Sequence, residues 1–263
     1  MALIDELNAA RPNTAKAWTM EMTSPESVQT FADTVLAHFG RVDVLVNNAS
    51  SFYPTAYGES SEAQWDDLIG SNLRGAYFLT QRLSAALKEQ RGAVVNLVDT
   101  HADRPLPKHP IYSIAKAGLK AMTKSLAIEL APQVRANGVA PGAILWPPSL
   151  EDDSDPGVIA GREAMLKGIP LAKLGSTQDI ADAVYFLACE ASYLTGHTLK
   201  VDGGRSKSGC RRELRLGLCC IMGMPVLSHS ACVPPSALPL CPPQLHLPMP
   251  ATPTRTPRAP MRL

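Results

Sequence analysis

Residues 99–116 read DTHADRPLPKHPIYSIAK, and this stretch ends with a tyrosine and a lysine four positions apart. On a helix this spacing puts Tyr112 and Lys116 on one face, within reach of a common substrate. A nearby ammonium group favours the phenolate, so we expect the pKa of Tyr112 to lie below its usual value near ~10. The phenol would then serve as a proton donor or acceptor at neutral pH. Because exposed amphipathic helices carry the same pair by chance, its meaning depends on the rest of the chain.

Short apolar segments alternate with helical patterns between residues 3 and 204. The patterns predict strands at 14–21, 42–46, 93–98, 134–139 and 198–201. They predict helices at 3–10, 25–39, 61–90, 112–132, 159–167 and 176–188. Strands that alternate with helices through short connections indicate an α/β fold with a doubly wound parallel sheet, which is Rossmann-like.

Polar residues and turn residues follow three of the predicted strands directly. Asn47–Ser50 come after the second strand, Asp99 after the third, and Pro141 with Gly142 after the fourth. In open parallel sheets, ligands bind beyond the carboxyl ends of the strands. The predicted sheet and the candidate site therefore share one edge.

The composition excludes several classes of function. The chain has 25 Lys and Arg residues against 24 Asp and Glu residues, a net charge of +1, which predicts no nucleic-acid partner. No uncharged apolar run is long enough to span a bilayer, and the first residues lack the apolar core of a secretory signal, so no membrane partner is expected. Cys189 is the single cysteine of the main body, which is typical of a reducing, cytoplasmic location.

The composition changes after Gly204. Residues 205–263 are rich in proline, contain five cysteines and show no sustained helical or strand period. Such a segment cannot bury enough apolar surface to offset its ordering entropy, so we expect a domain at 1–204 followed by a disordered tail at 205–263. The cysteine spacing matches no zinc-binding pattern, and no metal site is predicted.

The motifs Asn47-Asn48-Ala49, Asn72, Tyr112-x-x-x-Lys116 and Pro141-Gly142, in this order, resemble the short-chain dehydrogenase/reductase family over about residues 3–204. The resemblance implies a nicotinamide cofactor and an oxidoreductase activity. Asn48 and Ala49 would then line the adenosine side of the cofactor, with Pro141 and Gly142 beside its carboxamide. It also implies that Lys116 binds the nicotinamide ribose, that Asn72 holds a water of the proton relay, and that Tyr112 exchanges a proton with the substrate.

Two departures from the family pattern resemble its pteridine reductase branch. Asp99 stands where most members have a serine, and the Asn-Asn-Ala motif continues with Ser50-Ser51-Phe52 instead of glycine. The resemblance implies that Phe52 stacks on a flat pterin and that Ser50 binds both cofactor and pterin. Without the resemblance, Phe52 has the alternative of a simple loop anchor, and Asp99 alone favours the cap of an Asx-turn.

The acid in place of the serine has a chemical reason. A ketone needs a hydroxyl group to hold its oxygen, whereas a ring imine needs a proton delivered to nitrogen. A carboxyl group beside a lysine and a tyrosine can relay that proton, directly or through water. By resemblance, Tyr112 would serve the N8 side of the pterin and Asp99 the N5 side, while NADPH would carry the hydride.

The resemblance also implies that parts of the family fold are missing. Nothing in the sequence matches Thr-Gly-x-x-x-Gly-x-Gly, the turn that holds the cofactor pyrophosphate at a helix N-terminus. We therefore expect an N-terminally truncated member whose sheet is incomplete because the first βαβ unit is absent, with an unrelated tail. Glu21 stands where the family usually has an aspartate near the adenine, and the preference for NADPH is inherited from the family.

Three functions follow, in order of preference. The first is NADPH-dependent reduction of pterin, dihydropterin or folate rings. The second is a general carbonyl or alcohol oxidoreductase of the same family. The third is a non-catalytic protein that acts only through oligomerisation, since family members form homo-oligomers, often tetramers, through the helices that contain Asn72 and Lys116.

We predict that the purified 263-residue chain turns over NADPH poorly, because its sequence contains no glycine-rich pyrophosphate turn. Oxidation of NADPH in the presence of dihydrobiopterin, followed by absorbance, is the measurement. Robust turnover would contradict this prediction.

Overall fold

Four parallel strands form one sheet in the order β1-β2-β3-β4, which confirms the α/β prediction. The computed structural model describes residues 2–146, 150 and 155–208. The strands are β1, Val44–Asn47; β2, Ala93–Leu97; β3, Arg135–Pro141; and β4, Thr198–Val201. In the register of the central pair, Val94 lies opposite Ala136 and Leu97 opposite Val139. Every strand thus points the same way, and their carboxyl ends share one edge.

Seven α-helices connect and cover these strands in the described part of the chain. They are α1, Ala2–Ala10; α2, Pro25–Phe39; α3, Glu62–Ile69; α4, Gly75–Glu89; α5, Pro110–Glu129; α6, Pro156–Lys167; and α7, Thr177–Tyr185. Wide π-helical turns follow α3 at Gly70–Arg74 and α7 at Phe186–Glu190, and a 3-10 turn lies at Thr100–Ala102. None of these described helices has the length and apolar character that crossing a bilayer requires.

The two faces of the sheet carry separate apolar cores because successive strand side chains point in opposite directions. One core joins Val94 and Ala136 to α2, α4 and α5. The other joins Val95 and Val139 to α7 and the turn that follows it. On this second side, β1 is open among the described residues: Val44 is 38% and Val46 41% exposed.

The long helix predicted at 61–90 begins as expected but is divided into two. Ser61 and Gln64 form the predicted capping box at its start. The wide turn Gly70–Arg74 then separates α3 from α4 and turns Asn72 inward, where it is 1% exposed. A Cβ atom at Gly75 would lie 2.6 Å from the carbonyl oxygen of Met22, so only glycine fits where α4 begins.

The strand predicted at 14–21 is wrong. These residues run without strand pairing, since the described neighbour of β1 is β2. The Asn8 side chain holds the segment instead, accepting from the backbone N–H of Ala15 at 2.9 Å and donating to its carbonyl at 3.0 Å. Trp18 packs edge to face against Phe31 of α2 at 6.5 Å. The apolar residues that suggested a strand are thus used in packing, and no hydrogen-bonded ladder forms.

The end of the described chain continues beyond the domain boundary expected at residue 204. Arg205 donates its backbone N–H to the carbonyl of Asp202 at 3.0 Å, and Ser206 donates to the Asp202 carboxylate at 2.7 Å. Residues 205–208 therefore form hydrogen-bonded turns of the same unit, Met1–Arg212. The disorder predicted for the remaining tail concerns residues 209–263, which lie outside the described residues.

Arg135, the first residue of β3, closes the end of the α7 segment. Its guanidinium group donates to the carbonyls of Leu187, Ala188 and Ala191 at 2.6, 2.7 and 2.9 Å. Leu187 and Ala188 lie in the last turn of a helical segment, where carbonyl groups lack helical partners, and Ala191 is the cap of that segment. One side chain thus ties the second core to the sheet.

We predict that Arg135→Ala destabilises the protein by about 3 kcal/mol, because three carbonyl groups lose a charged partner. Urea denaturation gives the free energy of unfolding. Arg82→Ala is the matched control, since Arg82 pairs with Asp33 at 3.0 Å and both side chains are about half exposed. Its cost should stay below about 1 kcal/mol. Equal losses in the two variants would show that Arg135 is no more than a surface charge.

Candidate active site

The predicted site residues meet at the carboxyl edge of the sheet. Asn47 ends β1, Leu97 ends β2 just before Asp99, and Pro141 ends β3. Helix α5 begins at Pro110 beside this edge and carries Tyr112 in its first turn. Parallel strands place these positions together although more than forty residues of sequence separate neighbouring strand ends.

Asp99 uses its two carboxylate oxygens for two purposes. Oδ2 accepts a hydrogen bond from the Tyr112 hydroxyl at 2.7 Å. Oδ1 accepts from the backbone N–H of His101 at 2.7 Å and so caps the 3-10 turn that follows. Both interpretations of Asp99 from the sequence, as a turn cap and as a partner of the tyrosine, therefore hold at once.

The expected lowering of the Tyr112 pKa is wrong for this arrangement. The Tyr112 side chain is buried, and burial raises the pKa of its phenol because the phenolate loses hydration. The Asp99 carboxylate raises that pKa further by charge repulsion and by accepting a hydrogen bond from the neutral hydroxyl group. The environment of Tyr112 thus favours the neutral phenol, which donates its hydrogen bond to Asp99.

Lys116 lies one helical turn beyond Tyr112 and is 3% exposed. Its ammonium donates to the carbonyl of Leu97 at 2.9 Å and lies 5.7 Å from the centre of the Tyr112 ring. Burial lowers the pKa of Lys116 to about 8, while the nearby Asp99 acts in the opposite direction. The amine lies near the phenol, as the spacing in the sequence predicts. The pKa of Tyr112 is nevertheless raised, because burial and Asp99 outweigh the effect expected from the ammonium.

Asn72 and Ser50 extend the polar chain on the other side of Tyr112. The Ser50 hydroxyl donates to Oδ1 of Asn72 at 2.6 Å. Ser50 also acts to lower the pKa of Tyr112, against the larger effects of burial and Asp99. The Asn72 amide donates to the carbonyls of Ser51 and Leu68 at 2.9 and 3.0 Å. Asn72 therefore fixes the loop after β1 against α3 and holds Ser50 beside the phenol.

Phe52 lies beside Tyr112 on the solvent-exposed side of these polar residues. Its ring makes an edge contact with Tyr112, with centroids 4.8 Å apart and planes at 77°. It stacks on His109 with centroids 4.7 Å apart and planes at 7°. The ring is still 57% exposed, so a large part of its surface faces solvent.

His109 is a site residue that none of the sequence motifs includes. The residue is the cap of α5 and precedes Tyr112 by three positions, a spacing that puts both side chains on one face. That spacing was the available signal. The loop position of His109 concealed it.

A buried amide network behind the site was also missed. Asn47 donates to Oδ1 of Asn96 at 2.8 Å, and Asn96 donates to the Thr123 hydroxyl at 2.9 Å. Asn47 also donates to Thr80 at 3.1 Å. The network joins β1, β2, α4 and α5 directly below the carboxyl edge. An asparagine inside the apolar run Val94-Val95-Asn96-Leu97 was its signal in the sequence.

Of the expected cofactor residues, four lie at strand ends. Asn48 and Ala49 are exposed directly after β1, and Pro141 and Gly142 are partly buried at the end of β3. A Cβ atom at Gly142 would lie 2.6 Å from the Cα of Asp202. The glycine is therefore required by the close approach of the two chain segments.

Glu21, which was also expected to bind the cofactor, is used in a local turn. Its carboxylate accepts from the backbone N–H of Thr23 at 3.1 Å and from the Thr23 hydroxyl at 2.9 Å. These bonds lower the pKa of Glu21. The structure shows no contact between Glu21 and the other candidate site residues in the described part of the chain.

The described residues fit one end of a nicotinamide dinucleotide. Lys116 gives one of its three N–H groups to Leu97 and keeps two for ribose hydroxyls. No described helix begins in a glycine-rich turn, which is the usual cradle of the pyrophosphate. Lys116 is thus a candidate partner for the nicotinamide ribose, whereas the described residues offer no such turn for the pyrophosphate.

Comparison with known proteins assigns the family. A family model described as Enoyl-(Acyl carrier protein) reductase matches residues 2–206. Pteridine reductase 1 of Leishmania tarentolae is 36% identical over 241 residues, covering 76% of this chain and 81% of the relative. The chain belongs to the short-chain dehydrogenase/reductase family of oxidoreductases. Another member, the 3-oxoacyl-[acyl-carrier-protein] reductase FabG of Staphylococcus aureus, is 35% identical over 206 residues, covering 77% of this chain and 81% of the relative.

Solved structures of dehydrogenases share the fold of this short-chain dehydrogenase/reductase. Acetoin dehydrogenase from Enterobacter cloacae matches with a TM-score of 0.68 and 32% identity, covering 80% of this chain and 82% of that one. The ligand-free aldohexose dehydrogenase of Thermoplasma acidophilum matches with a TM-score of 0.68 and 31% identity, covering 76% and 82%. These likenesses confirm the Rossmann-like prediction.

The buried ammonium of Lys116 predicts a specific pH dependence of stability. Its pKa is about 8 in the folded protein and takes its ordinary value of 10.5 in the unfolded chain. Between these values the unfolded chain binds more protons, so the stability of the wild type rises with pH. Lys116→Met lacks the titrating group, and its stability relative to the wild type should fall by on the order of 3 kcal/mol across this window.

The measurement is urea denaturation at several pH values between about 7 and about 10. Lys124→Met is the matched control, because Lys124 is exposed on the same helix. It should keep the pH dependence of the wild type. If the curves of Lys116→Met and the wild type run parallel, the ammonium of Lys116 is not buried as the structure shows it.

Proposed function

We propose that this short-chain dehydrogenase/reductase reduces the ring imines of pterins, with dihydropterins and folates as the substrate class. The observation that carries the proposal is the hydrogen bond from Tyr112 to Asp99 at 2.7 Å, which lies directly beside the exposed ring of Phe52. A proton-donating pair and a flat apolar surface at one edge suit a planar heterocycle that takes up a proton on nitrogen. The similarity to a pteridine reductase over most of the chain supports it.

In the proposed reaction a C=N bond gains hydride at carbon and a proton at nitrogen. NADPH, when bound, supplies the hydride. Tyr112 holds its hydroxyl proton because burial raises the pKa of the phenol, and it serves the N8 side in the first reduction. Asp99 serves the N5 side in the second reduction. Its carboxyl group, which is partly exposed, relays a proton from solvent.

Lys116 and Asn72 support these steps. The pKa of Lys116 of about 8 leaves the ammonium mostly charged at neutral pH, yet near enough to neutrality to exchange a proton. In the proposal, Lys116 binds the nicotinamide ribose. Asn72 holds Ser50 beside the phenol and provides the anchor for a relay water. Ser50 binds the substrate and the cofactor together.

Oligomerisation of the chain with itself is part of the proposal. Helix α4 exposes Tyr77 and Phe78, which are 46% and 50% exposed, and α5 exposes Ile114 and Ile128, which are 49% and 77% exposed. Large apolar side chains on two neighbouring helices are typical of a surface that a protein partner covers. A second copy of this chain is the partner that we propose for these helices.

Reduction of a carbonyl group is the second candidate function. The observation that favours it is the similarity to FabG, whose identity of 35% is nearly that of the pteridine reductase. Asp99 argues against it, because an acid stands where a hydroxyl group would hold the oxygen of a ketone. The choice between pterin and carbonyl therefore rests on Asp99 and Phe52.

The test of the proposed function is equilibrium binding of dihydrobiopterin and of a panel of ketones to the purified chain, followed by fluorescence. We expect dihydrobiopterin to bind at least about 10-fold more tightly than the ketones, because stacking on an aromatic ring discriminates in favour of flat heterocycles. Residual NADPH oxidation should likewise respond to dihydrobiopterin and not to ketones. The opposite preference would favour the carbonyl reductase.

The role of Asp99 has its own prediction. Asp99→Asn keeps an oxygen for the turn cap but cannot relay a proton, so residual pterin reduction should fall by about 100-fold or more. Asp103→Asn is the matched control on the same loop, since Asp103 pairs with Lys120 and Lys200 away from Tyr112. It should retain wild-type turnover. Undiminished reduction by Asp99→Asn would remove the proton relay from the proposal.

A further inference from the structure

The ring of His109 is fixed in place by its own loop. Its Nδ1 atom lies 2.9 Å from the carbonyl oxygen of Pro107. A carbonyl oxygen only accepts, so Nδ1 carries the proton of this hydrogen bond and the orientation of the ring is set. His109 also occupies the cap position of α5. The imidazole is therefore presented by a helix end and a backbone carbonyl together.

The loop that carries His109 is tied to the loop that carries Phe52. The backbone N–H of Thr55 donates to the carbonyl of Lys108 at 2.7 Å. Lys108 has a φ of +63°, a left-handed conformation that is rare for a residue with a side chain. Such strain persists only where surrounding contacts hold it, and here it aims the carbonyl of Lys108 at the neighbouring loop. The hydrogen bond sets the spacing at which the two rings meet.

The two rings then lie nearly parallel. Their centroids are 4.7 Å apart and their planes differ by 7°. The imidazole occupies one side of the Phe52 ring, which nevertheless stays 57% exposed. Tyr112 meets the same ring edge to face at 4.8 Å. Phe52 thus contacts a fixed imidazole and the Tyr112 ring, and more than half of its surface stays open.

We propose that His109 is a positioning residue for substrate, acting through Phe52. The stack fixes the plane of the Phe52 ring relative to Tyr112. A flat substrate on the free surface of Phe52 is then held beside the Tyr112 hydroxyl group. This inference rests on the proposed function, since it assumes a flat heterocycle as substrate. We expect His109 to raise the affinity for substrate, because a Phe52 ring that is already ordered loses less entropy when the substrate binds.

A double-mutant cycle between His109 and Phe52 tests the inference, with binding of dihydrobiopterin by fluorescence titration as the readout. His109→Ala should weaken binding by about 2- to 10-fold, the range that one aromatic pair supports. In the Phe52→Ala background the same substitution should change nothing further, because its effect passes through Phe52. His109→Phe restores a flat ring and should recover most of the affinity, whereas His109→Leu, which is apolar but not flat, should not.

The control is His38→Ala, which removes another histidine packed against aromatic rings, at the end of α2. It should leave pterin binding unchanged, and thermal unfolding of every variant checks the fold. If the wild type binds dihydrobiopterin and His109→Ala binds it equally well, the inference is overturned and the proposed function stands. Additive losses in the double mutant also overturn it, since His109 would then act independently of Phe52. A wild type that binds no pterin overturns the proposed function and the inference together.

Discussion

The hydrogen bond between Tyr112 and Asp99 joins the end of β2 to the start of α5, and the geometry of the site depends on it. Two further contacts make that bond possible. Lys116 donates to the carbonyl of Leu97, and Thr123 accepts from Asn96, so α5 is attached to β2 at points two helical turns apart. Both attachments are buried, where a lost partner costs more than in water. The helix therefore cannot slide along the strand without leaving buried polar groups unpaired, and this fixes the phenol at the carboxylate.

The loops above the sheet depend on the same frame. Asn72 lies in the wide turn between α3 and α4, and this turn directs its amide toward the loop after β1. Through Ser50 the loop then reaches the phenol, and through Phe52 it reaches His109. Segments that follow β1 and segments that follow β2 thus meet within one hydrogen-bonded and stacked cluster. A change in any one loop would be transmitted to Tyr112, because the contacts share partners.

Much of this arrangement could be predicted from sequence because its signals are local. Apolar periodicity located β1 to β4, Ser61 and Gln64 marked the start of α3, and the spacing of Tyr112 and Lys116 placed both on one helix face. The segment 14–21 failed because strand formation requires a partner, and periodicity does not report one. The pKa of Tyr112 failed because charge effects can be read from neighbours in the sequence, whereas burial depends on the whole fold. His109 failed because its partner, Phe52, lies on another loop, and no local pattern links the two.

The position of Asp99 gives a physical reason for an acid in this family member. Tyr112 and Lys116 are 5% and 3% exposed, whereas Asp99 is only partly buried. In the proposed reaction each transferred proton must be replaced from solvent, and of these three groups Asp99 is the one that solvent reaches. A serine at this position could hold a substrate oxygen but could not store a proton. A carboxyl group can relay a proton between solvent and substrate. Oδ1 of Asp99 is already bonded to the turn that keeps Oδ2 directed at the phenol. Asp99 therefore connects solvent to the Tyr112 hydroxyl group through one side chain. This arrangement suits a substrate that takes its proton on nitrogen.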